Sequence, residues 1–290
     1  MVLSRPQHRL RSGGISRANR LTSLVCVGGQ RLEIQGKVVV VTGGASGIGR
    51  ELCRLFAAEG ARHVVVADLN EEGAAVVAEE IGHSSHQVDV GRESDLVGLI
   101  HQTEDAFGPI DLFCSNAGIA DGRGIDEPDE VWDRIWRVNT MAHIWAARHL
   151  VPLMRERGGG YLFSTASAAG LLTQIGSVTY AVTKHAAVAL AEWLAITHGR
   201  DGIKVTVLCP QAVRTGMTPD ASETGLSVAS VDGLLEADGV ARDCLEAIRE
   251  ERFFVLPHPM VADYMQRKAE DPDRWLHGMR RLQDRYLAED

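Results

Sequence analysis

Short apolar runs rich in β-branched residues alternate along the chain with longer segments in which apolar residues recur every three or four positions. The first run, residues 37–42, reads KVVVVT and predicts a buried strand. Six further runs predict strands at 63–67, 87–90, 111–115, 161–164, 204–209 and 253–256. Helical patterns occupy 50–59, 71–81, 93–107, 129–156, 178–199 and 238–250. This alternation predicts an α/β fold, a doubly wound parallel sheet of about seven strands with helices on both faces.

The pattern changes at both ends of this region. Residues 1–35 are rich in Arg, Ser and Gly without sustained periodicity, so we expect a basic, flexible N-terminal extension. Residues 36–258 hold the alternating pattern without a linker and predict one domain. Within it, residues 215–237 are polar and turn-rich, and predict a mobile loop that could close over a ligand. Residues 259–290 are charged and predict a helical C-terminal extension.

The charge is distributed unevenly. The formal net charge is −9; six arginines and one acid, Glu33, give residues 1–35 a charge of +5, which leaves −14 for the rest. An acidic chain disfavours general nucleic-acid binding. The Arg- and Ser-rich start is also typical of organelle transit peptides, but no clear amphipathic helix accompanies it, so we expect a cytoplasmic protein. No apolar run reaches the roughly 18 residues that a membrane-spanning helix needs, so none is predicted.

The five cysteines are scattered along the chain, at Cys26, Cys53, Cys114, Cys209 and Cys244. None forms a CxxC pair or lies near a histidine at the spacing of metal ligands, so no metal site is predicted. Small buried thiols in a reducing compartment are the expected role.

A glycine-rich turn, GGASGIG at 43–49, follows the first predicted strand and precedes a helix. Small residues let the backbone approach a pyrophosphate, and the helix N-terminus supplies free N–H groups. Glycines also form plain turns, but the position after the first strand favours a dinucleotide site. The residues expected to contact the coenzyme here are Gly43, Ser46, Gly47, Ile48 and Gly49.

Asp68 ends the second predicted strand, 19 residues after Gly49. A carboxylate there can accept hydrogen bonds from both ribose hydroxyls of adenosine, and it would repel a 2′-phosphate. The next residue, Leu69, offers no cation, so the sequence favours NAD over NADP. Arg50 and Arg62 are the two cations that could reach the ribose. The alternative is that Asp68 only caps the following helix.

Two further strand ends carry candidate coenzyme contacts. Asp89 and Val90 end the third predicted strand and could touch the adenine. Asn116, Ala117 and Gly118 end the fourth, where small residues could let the coenzyme pass. Ordinary turn chemistry explains both sets equally well.

Tyr180 and Lys184 lie four residues apart on one predicted helix, and therefore on one face of it. A free tyrosine has a pKa near ~10, and a nearby ammonium favours the phenolate, so the phenol could exchange a proton with an alcohol or ketone oxygen. Ser167 follows the fifth strand, where its hydroxyl could steady the substrate oxygen. Asn139 lies inside a predicted helix, a poor place for Asn, and could bond a backbone carbonyl, bind water or face solvent.

Together these features resemble the short-chain dehydrogenase/reductase family. The motifs that carry the resemblance are the glycine-rich turn at 42–49, the NAG run at 116–118, Asn139, Ser167 and the YAVTK run at 180–184. The resemblance extends over about 37–257 and implies a Rossmann fold with an Asn–Ser–Tyr–Lys tetrad.

The resemblance implies a role for each member of the tetrad. Tyr180 would be the general acid/base and Ser167 would orient the substrate. Lys184 would lower the pKa of the tyrosine and hold the nicotinamide ribose. Asn139 would keep a water that relays protons from Lys184 to solvent.

One position departs from the family pattern. After the sixth strand the family usually has Pro-Gly, whereas here Pro210 is followed by Gln211. Val213 and Thr215 match the stretch that meets the nicotinamide carboxamide. A side chain at position 211 could narrow the site or alter the substrate pocket.

The sequence thus predicts an NAD(H)-dependent oxidoreductase that transfers a hydride between nicotinamide and a hydrophobic secondary alcohol or ketone. The candidate pocket residues are Leu171, Leu172, Ile175, Met217, Leu226 and Val228, of which core packing explains the first three nearly as well. A catalytically silent NAD-binding regulatory or scaffold protein, or an epimerase or dehydratase on the same fold, are the alternatives. The helices at 129–156 and 178–199 often form subunit interfaces in the family, which implies a homodimer or homotetramer.

Overall fold

A seven-stranded parallel sheet forms the centre of the computed structural model, which describes residues 32–216 and 230–287. Its strands are β1 (Val38–Thr42), β2 (His63–Asp68), β3 (Ser84–Gln87), β4 (Leu112–Ser115), β5 (Gly160–Thr165), β6 (Ile203–Leu208) and β9 (Phe254–Val255). Their order is β3-β2-β1-β4-β5-β6-β9, and every neighbouring pair is parallel. The order reverses between β1 and β4, and ligands bind beside such a switch point, at the carboxyl ends of the strands.

Helices cover both faces of the sheet. They are α1 (Gly47–Ala58), α2 (Glu71–Ile81), α3 (Glu93–Phe107), α4 (Asp129–Trp136), α5 (Ala142–Glu156), α6 (Ala169–Leu172), α7 (Val178–His198), α8 (Ala237–Arg249), α9 (Met260–Glu270) and α10 (Pro272–Leu287). One core packs α3, α5 and α7 on the sheet, and the other packs α1, α2 and α8. All five residues of β1 are buried, which is why its sequence is a continuous apolar run. The predicted doubly wound fold is confirmed.

The third strand lies earlier than predicted. Residues 84–87 pair with β2, from Val65 opposite Ser84 to Asp68 opposite Gln87. Val88 and Val90, whose apolar character indicated a strand at 87–90, are buried after the strand has ended. The prediction was wrong because burial at a strand end gives the same apolar signal as burial within a strand.

The long helix predicted at 129–156 is interrupted. A π-helical segment, Arg137–Met141, separates α4 from α5, and it contains Asn139. Such insertions widen the helical turn and are frequent at functional sites. Helical periodicity over the flanking residues hides the interruption, so a single helix was predicted. At the first helix, α1 starts at Gly47 rather than at residue 50, because two glycines of the turn, 47 and 49, belong to its first turn.

The two ends of the predicted loop at 215–237 come together. Val213 pairs with Leu235 and Arg214 with Glu236, so β7 (Val213–Arg214) and β8 (Leu235–Glu236) form a small parallel sheet. Three predicted pocket residues, Met217, Leu226 and Val228, lie outside the described residues.

The terminal parts that the structure describes also contact the domain. Ile34, from the end of the predicted N-terminal extension, is buried in the core under α1. Residues 260–287 form α9 and α10, which meet at Pro272. No helix in the described ranges, 32–216 and 230–287, is long and apolar enough to cross a membrane. The four described cysteines are buried free thiols.

Candidate active site

A cavity of about 1100 Å³ opens at the carboxyl ends of the central strands. Most of the residues singled out from the sequence line it together: Gly43, Ser46, Gly47, Ile48, Asp68, Asp89, Val90, Asn116, Ala117, Gly118, Ser167, Tyr180, Lys184, Val213 and Thr215. The other two, Gly49 and Asn139, are not among its lining residues, but they lie next to the lining residues Gly43 and Gly118. Residues spread over most of the sequence meet here because parallel strands end at one edge.

The glycine-rich turn has a conformation that requires glycine. Gly43 and Gly47 have φ angles of +69° and +53°, in the left-handed region. A methyl group at Gly49 would overlap the main-chain carbonyl of Gly43. The side chain of Ser46, the N-cap of α1, makes no capping hydrogen bond, and the first turn carries no acidic residue. The free N–H groups at this helix end fit the pyrophosphate of a dinucleotide.

Asp68 is anchored beside this turn. One carboxylate oxygen accepts a hydrogen bond from the main-chain N–H of Ala45 at 3.0 Å, and the other from that of Asn70 at 2.9 Å. The N-cap of α2 is Asn70, whose side chain accepts from the N–H of Gly73 at 3.1 Å. Asp68 therefore does not cap the helix, and its carboxylate lies in the cavity wall next to the exposed Leu69.

Asn116 ties three strand ends together. Its amide nitrogen donates to the main-chain carbonyl of Thr42 at 3.0 Å, and its amide oxygen accepts from the hydroxyl of Thr165 at 2.9 Å. The hydroxyl of Thr42 in turn accepts from the main-chain N–H groups of Asn116 and Ala117. The ends of β1, β4 and β5 are thereby held in one arrangement beneath the cavity.

The side chains of Tyr180 and Ser167 both line the cavity, near enough for Ser167 to affect the pKa of Tyr180. The Ser167 hydroxyl donates to the carbonyl of Pro210 at 3.3 Å and accepts from the N–H of Ala169 at 3.1 Å. Burial raises the pKa of Tyr180, and the nearby Ser167 hydroxyl opposes that rise. The phenol therefore holds its proton at neutral pH in the chain on its own.

Lys184 is only 2% exposed, and burial lowers its pKa to about 8. Its ammonium group donates to the main-chain carbonyl of Thr165 at 3.0 Å and lies 5.5 Å from the centroid of the Tyr180 ring. That Lys184 lowers the pKa of Tyr180 stays a prediction, since burial is the main cause of the raised pKa of the phenol.

Asn139 is fully buried, and its side chain bonds the backbone. Its amide nitrogen donates to the carbonyl of Ile119 at 2.8 Å, and its amide oxygen accepts from the N–H of Ile119 at 2.9 Å. Of the roles left open by the sequence, the side chain thus serves backbone bonding. A methyl group at Gly118 would lie 3.3 Å from both Asn139 Oδ1 and Lys184 Nζ, so the Asn139 side chain and the ammonium group flank this glycine.

Comparison with known proteins agrees with this arrangement. The family described as short chain dehydrogenase matches residues 37–225. The chain belongs to the short-chain dehydrogenase/reductase family. It is therefore an oxidoreductase that acts on alcohol or ketone substrates, in a family whose typical coenzyme is a nicotinamide dinucleotide.

The matches with individual relatives cover most of the chain. It is 33% identical over 247 residues to (21S)-21-acetoxyl-apo-melianone synthase of Melia azedarach, covering 81% of this chain and 90% of the relative. It is 33% identical over 208 residues to 3beta-hydroxysteroid dehydrogenase 2 of Eggerthella lenta, covering 68% and 80%. A short chain dehydrogenase/reductase from Burkholderia phymatum, solved in complex with NAD, has a TM-score of 0.77 at 28% identity, covering 83% of this chain and 96% of that one.

The cavity of this dehydrogenase/reductase is also lined by residues that the sequence analysis missed. Seven come from the C-terminal helices: Tyr264, Arg267, Trp275, Gly278, Met279, Leu282 and Arg285. The signal was present, because Trp275, Met279 and Leu282 recur at helical spacing within an otherwise charged segment. Of the predicted pocket residues, Leu172 lines the cavity, while Leu171 and Ile175 are packed elsewhere.

His143 is a further buried titratable residue close to the site. It lies four residues after Asn139 and is 3% exposed. Neither nitrogen of its ring has a hydrogen-bond partner in the part of the chain described. Burial, together with the positive charge of Lys184, lowers its pKa to about 3. The imidazole is therefore neutral.

Proposed function

We propose that this chain transfers a hydride reversibly between NAD(H) and a hydrophobic secondary alcohol or ketone, with Tyr180 as the general acid/base. The observation that carries the proposal is that Tyr180, Ser167 and Lys184 line the same cavity as the glycine-rich turn. A proton-transfer group and a dinucleotide cradle in one cavity are the two parts that carbonyl reduction needs.

The residues divide the chemistry as follows. The coenzyme, when bound, supplies or accepts the hydride. In the reducing direction, Tyr180 gives its proton to the ketone oxygen, and its raised pKa keeps that proton available. Ser167 turns its one hydroxyl proton from the carbonyl of Pro210 to the same oxygen, and this second hydrogen bond favours the charge that develops there. Lys184 is an ammonium below a pKa of about 8 and keeps positive charge behind the phenol.

Asp68 supports NAD as the coenzyme. Its carboxylate lies beside the start of α1, where the 2′-phosphate of NADP would meet a like charge. The two cations that could have offset this charge are engaged elsewhere. Arg50 pairs with Glu51 at 3.1 Å, and Arg62 donates to the carbonyl of Phe107 at 2.8 Å. The similar Burkholderia phymatum structure contains NAD, which supports the same choice.

The cavity favours a hydrophobic substrate. Its apolar lining includes Leu172 on α6 and, on α10, Trp275, Met279 and Leu282. The name of the Eggerthella lenta relative refers to a hydroxysteroid, a hydrophobic secondary alcohol, which supports the same class.

A homodimer or homotetramer is part of the proposal. Helix α7 exposes Val182, Trp193 and Ile196, and the last is 83% exposed. Large apolar side chains on one exposed helix favour contact with a second chain.

The test compares NAD and NADP as coenzymes for a panel of secondary alcohols. The measured signal is the formation of the reduced nicotinamide. We expect turnover with bulky cyclic alcohols and a preference for NAD. A strong preference for NADP would overturn the Asp68 argument. Tight NADH binding without turnover of any alcohol would favour the silent regulatory or scaffold protein instead.

A further inference from the structure

The C-terminal helices supply an apolar wall to the cavity. On α10, Trp275, Met279 and Leu282 lie on one face, and all three line the cavity. The Trp275 ring packs 6.2 Å from that of Tyr264 on α9. Among the described residues of α10, Trp275 is the one that packs against the small core formed by residues 168, 172 and 261. The position of this wall therefore depends on how α9 is held.

A set of hydrogen bonds holds α9 to the catalytic edge, and we call it the Gln211 clasp. It comprises Gln211, Asp232, His258 and Tyr264. The amide nitrogen of Gln211 donates to one carboxylate oxygen of Asp232 at 3.0 Å, and the Tyr264 hydroxyl donates to the other at 3.2 Å. One carboxylate thus joins the segment after β6, which carries Ser167's partner Pro210, to α9.

His258 closes the same clasp from below. Its Nδ1 accepts from the main-chain N–H of Gln211 at 3.2 Å, which places the ring proton on Nε2. Nε2 then donates to the carbonyl of Gly233 at 3.2 Å. Burial lowers the pKa of His258, in keeping with this neutral form. Residues 232 and 233 are therefore held on both sides, by position 211 and by the C-terminal segment.

The hydrogen bond to Asp232 fixes the orientation of the Gln211 side-chain amide. Its carbonyl oxygen is buried without a hydrogen-bond partner among the described residues. Turning the amide over would place that oxygen against the Asp232 carboxylate, so the bond to Asp232 decides the orientation. Glycine, the residue expected at this position from the sequence pattern, would leave Asp232 to Tyr264 alone.

We propose that Gln211 is a positioning residue for substrate selection. Acting through Asp232 and Tyr264, it holds α9 and α10 so that the Trp275 and Met279 face contacts the apolar body of the substrate. Ketones too small to extend from Ser167 and Tyr180 to this wall gain nothing from it, whereas larger fused-ring ketones do. The inference rests on the proposed function, since it names the part of the substrate that the same cavity selects.

The test compares one-ring and two-ring ketones, cyclohexanone and 2-decalone, with NADH as the reductant. Gln211→Gly and Tyr264→Phe each remove one arm of the clasp, and Tyr286→Phe is the control because Tyr286 lies on α10 outside the cavity lining. We expect kcat/KM for 2-decalone to fall about tenfold in both clasp variants, mainly through KM, as the loss of a hydrogen bond to a charged group predicts. Because Gln211 and Tyr264 themselves line the cavity, kcat/KM for cyclohexanone also falls, but by less, so the ratio of kcat/KM for 2-decalone to that for cyclohexanone falls in both clasp variants and not in Tyr286→Phe.

Hydrogen exchange gives a readout that does not need a substrate. In Gln211→Gly, amides of residues 272–287 should exchange about tenfold faster, while those of α7 are unchanged. Unchanged exchange at 272–287, or equal losses for both ketones, would overturn the proposal. If the unmodified chain reduces neither ketone, the proposed function fails, and hydrogen exchange still decides whether Gln211 positions α10.

Discussion

The ammonium nitrogen of Lys184 lies 5.5 Å from the centroid of the Tyr180 ring, but its hydrogen bond goes to the carbonyl of Thr165, at 3.0 Å. The two groups respond oppositely to burial, which raises the pKa of Tyr180 and lowers that of Lys184 to about 8. Each shift favours the uncharged form. In the chain alone, the pair is therefore a neutral phenol beside an ammonium close to its titration point.

The rate of ketone reduction should fall as the pH rises through about 8. Above that pH Lys184 loses its charge, whereas Tyr180 keeps its proton, so the falling limb belongs to the lysine. The measurement is kcat/KM for the ketone between pH 6 and pH 10, which reports groups of the free enzyme. A flat profile over this range would contradict the assignment.

Lys184→Met should inactivate the enzyme and stabilise the fold at pH 7. The folded-state pKa of about 8 lies below the ordinary 10.5, so burying the charged lysine costs up to about 3 kcal/mol below pH 8. Between pH 8 and 10.5 the unfolded chain holds the extra proton, and the cost shrinks as the pH rises. Urea unfolding should show the variant's advantage at pH 7 and its decline by pH 10. A less stable variant at pH 7 would argue against the shift.

Tyr180→Phe should lower kcat by roughly 10²- to 10⁴-fold, the usual contribution of a positioned general acid. The change removes one hydroxyl and leaves the ring beside Lys184, so NADH affinity should be retained. Steady-state kinetics and fluorescence titration with NADH measure the two effects. Tyr286→Phe is the matched control and should behave as the unmodified chain. Full turnover in Tyr180→Phe would contradict the role of Tyr180 as the general acid.

Asp68→Asn should reduce the preference for NAD. The amide oxygen can still accept the hydrogen bond from Ala45. The amide nitrogen replaces the oxygen that accepts from Asn70, so that second bond is lost together with the negative charge. Without that charge, NADP meets less repulsion, and the ratio of kcat/KM for NAD to that for NADP should fall about tenfold. An unchanged ratio would mean that another residue selects the coenzyme.

His143→Leu should protect the fold against acid. The pKa of His143 is about 3 in the folded chain, against an ordinary 6.5, so between these values only the unfolded chain takes up the proton. The stability of the unmodified chain therefore falls as the pH drops below 6.5, by about 3 kcal/mol at pH 4 from this residue. Parallel urea unfolding of both chains at pH 7 and pH 4 should show the variant's advantage growing toward low pH. An advantage independent of pH would show that the buried ring is not the cause.

Local signals in the chain were sufficient for much of the site. Apolar runs predicted six of the seven sheet strands near their observed places. The glycines at 43, 47 and 49 identified the turn, because the φ angles at 43 and 47 and the close approach of the Gly43 carbonyl at 49 require glycine. Parallel strands end at a common edge, so motifs at strand ends were bound to meet. Fifteen of the predicted site residues line one cavity for that reason.

Other features depend on neighbours that are remote in sequence. The π-helical segment that contains Asn139 occurs together with the hydrogen bonds between the Asn139 side chain and the backbone of Ile119. Strand β3 forms at the residues that pair with β2. The wall formed by Trp275 and its neighbours depends on α9 folding back to the cavity, which no local pattern encodes.

The sequence by itself determined most of the sheet and the glycine-rich turn, and it predicted that Tyr180, Lys184 and Ser167 share one site, because strand period, glycine conformation and helical spacing are local properties. Only the tertiary structure decided that Tyr180 has a raised pKa, that Asn139 bonds the backbone and that Gln211 is tied to Tyr264 through Asp232. Desolvation and long-range hydrogen bonds arise when distant segments pack together, and their strength depends on distances that sequence spacing does not specify.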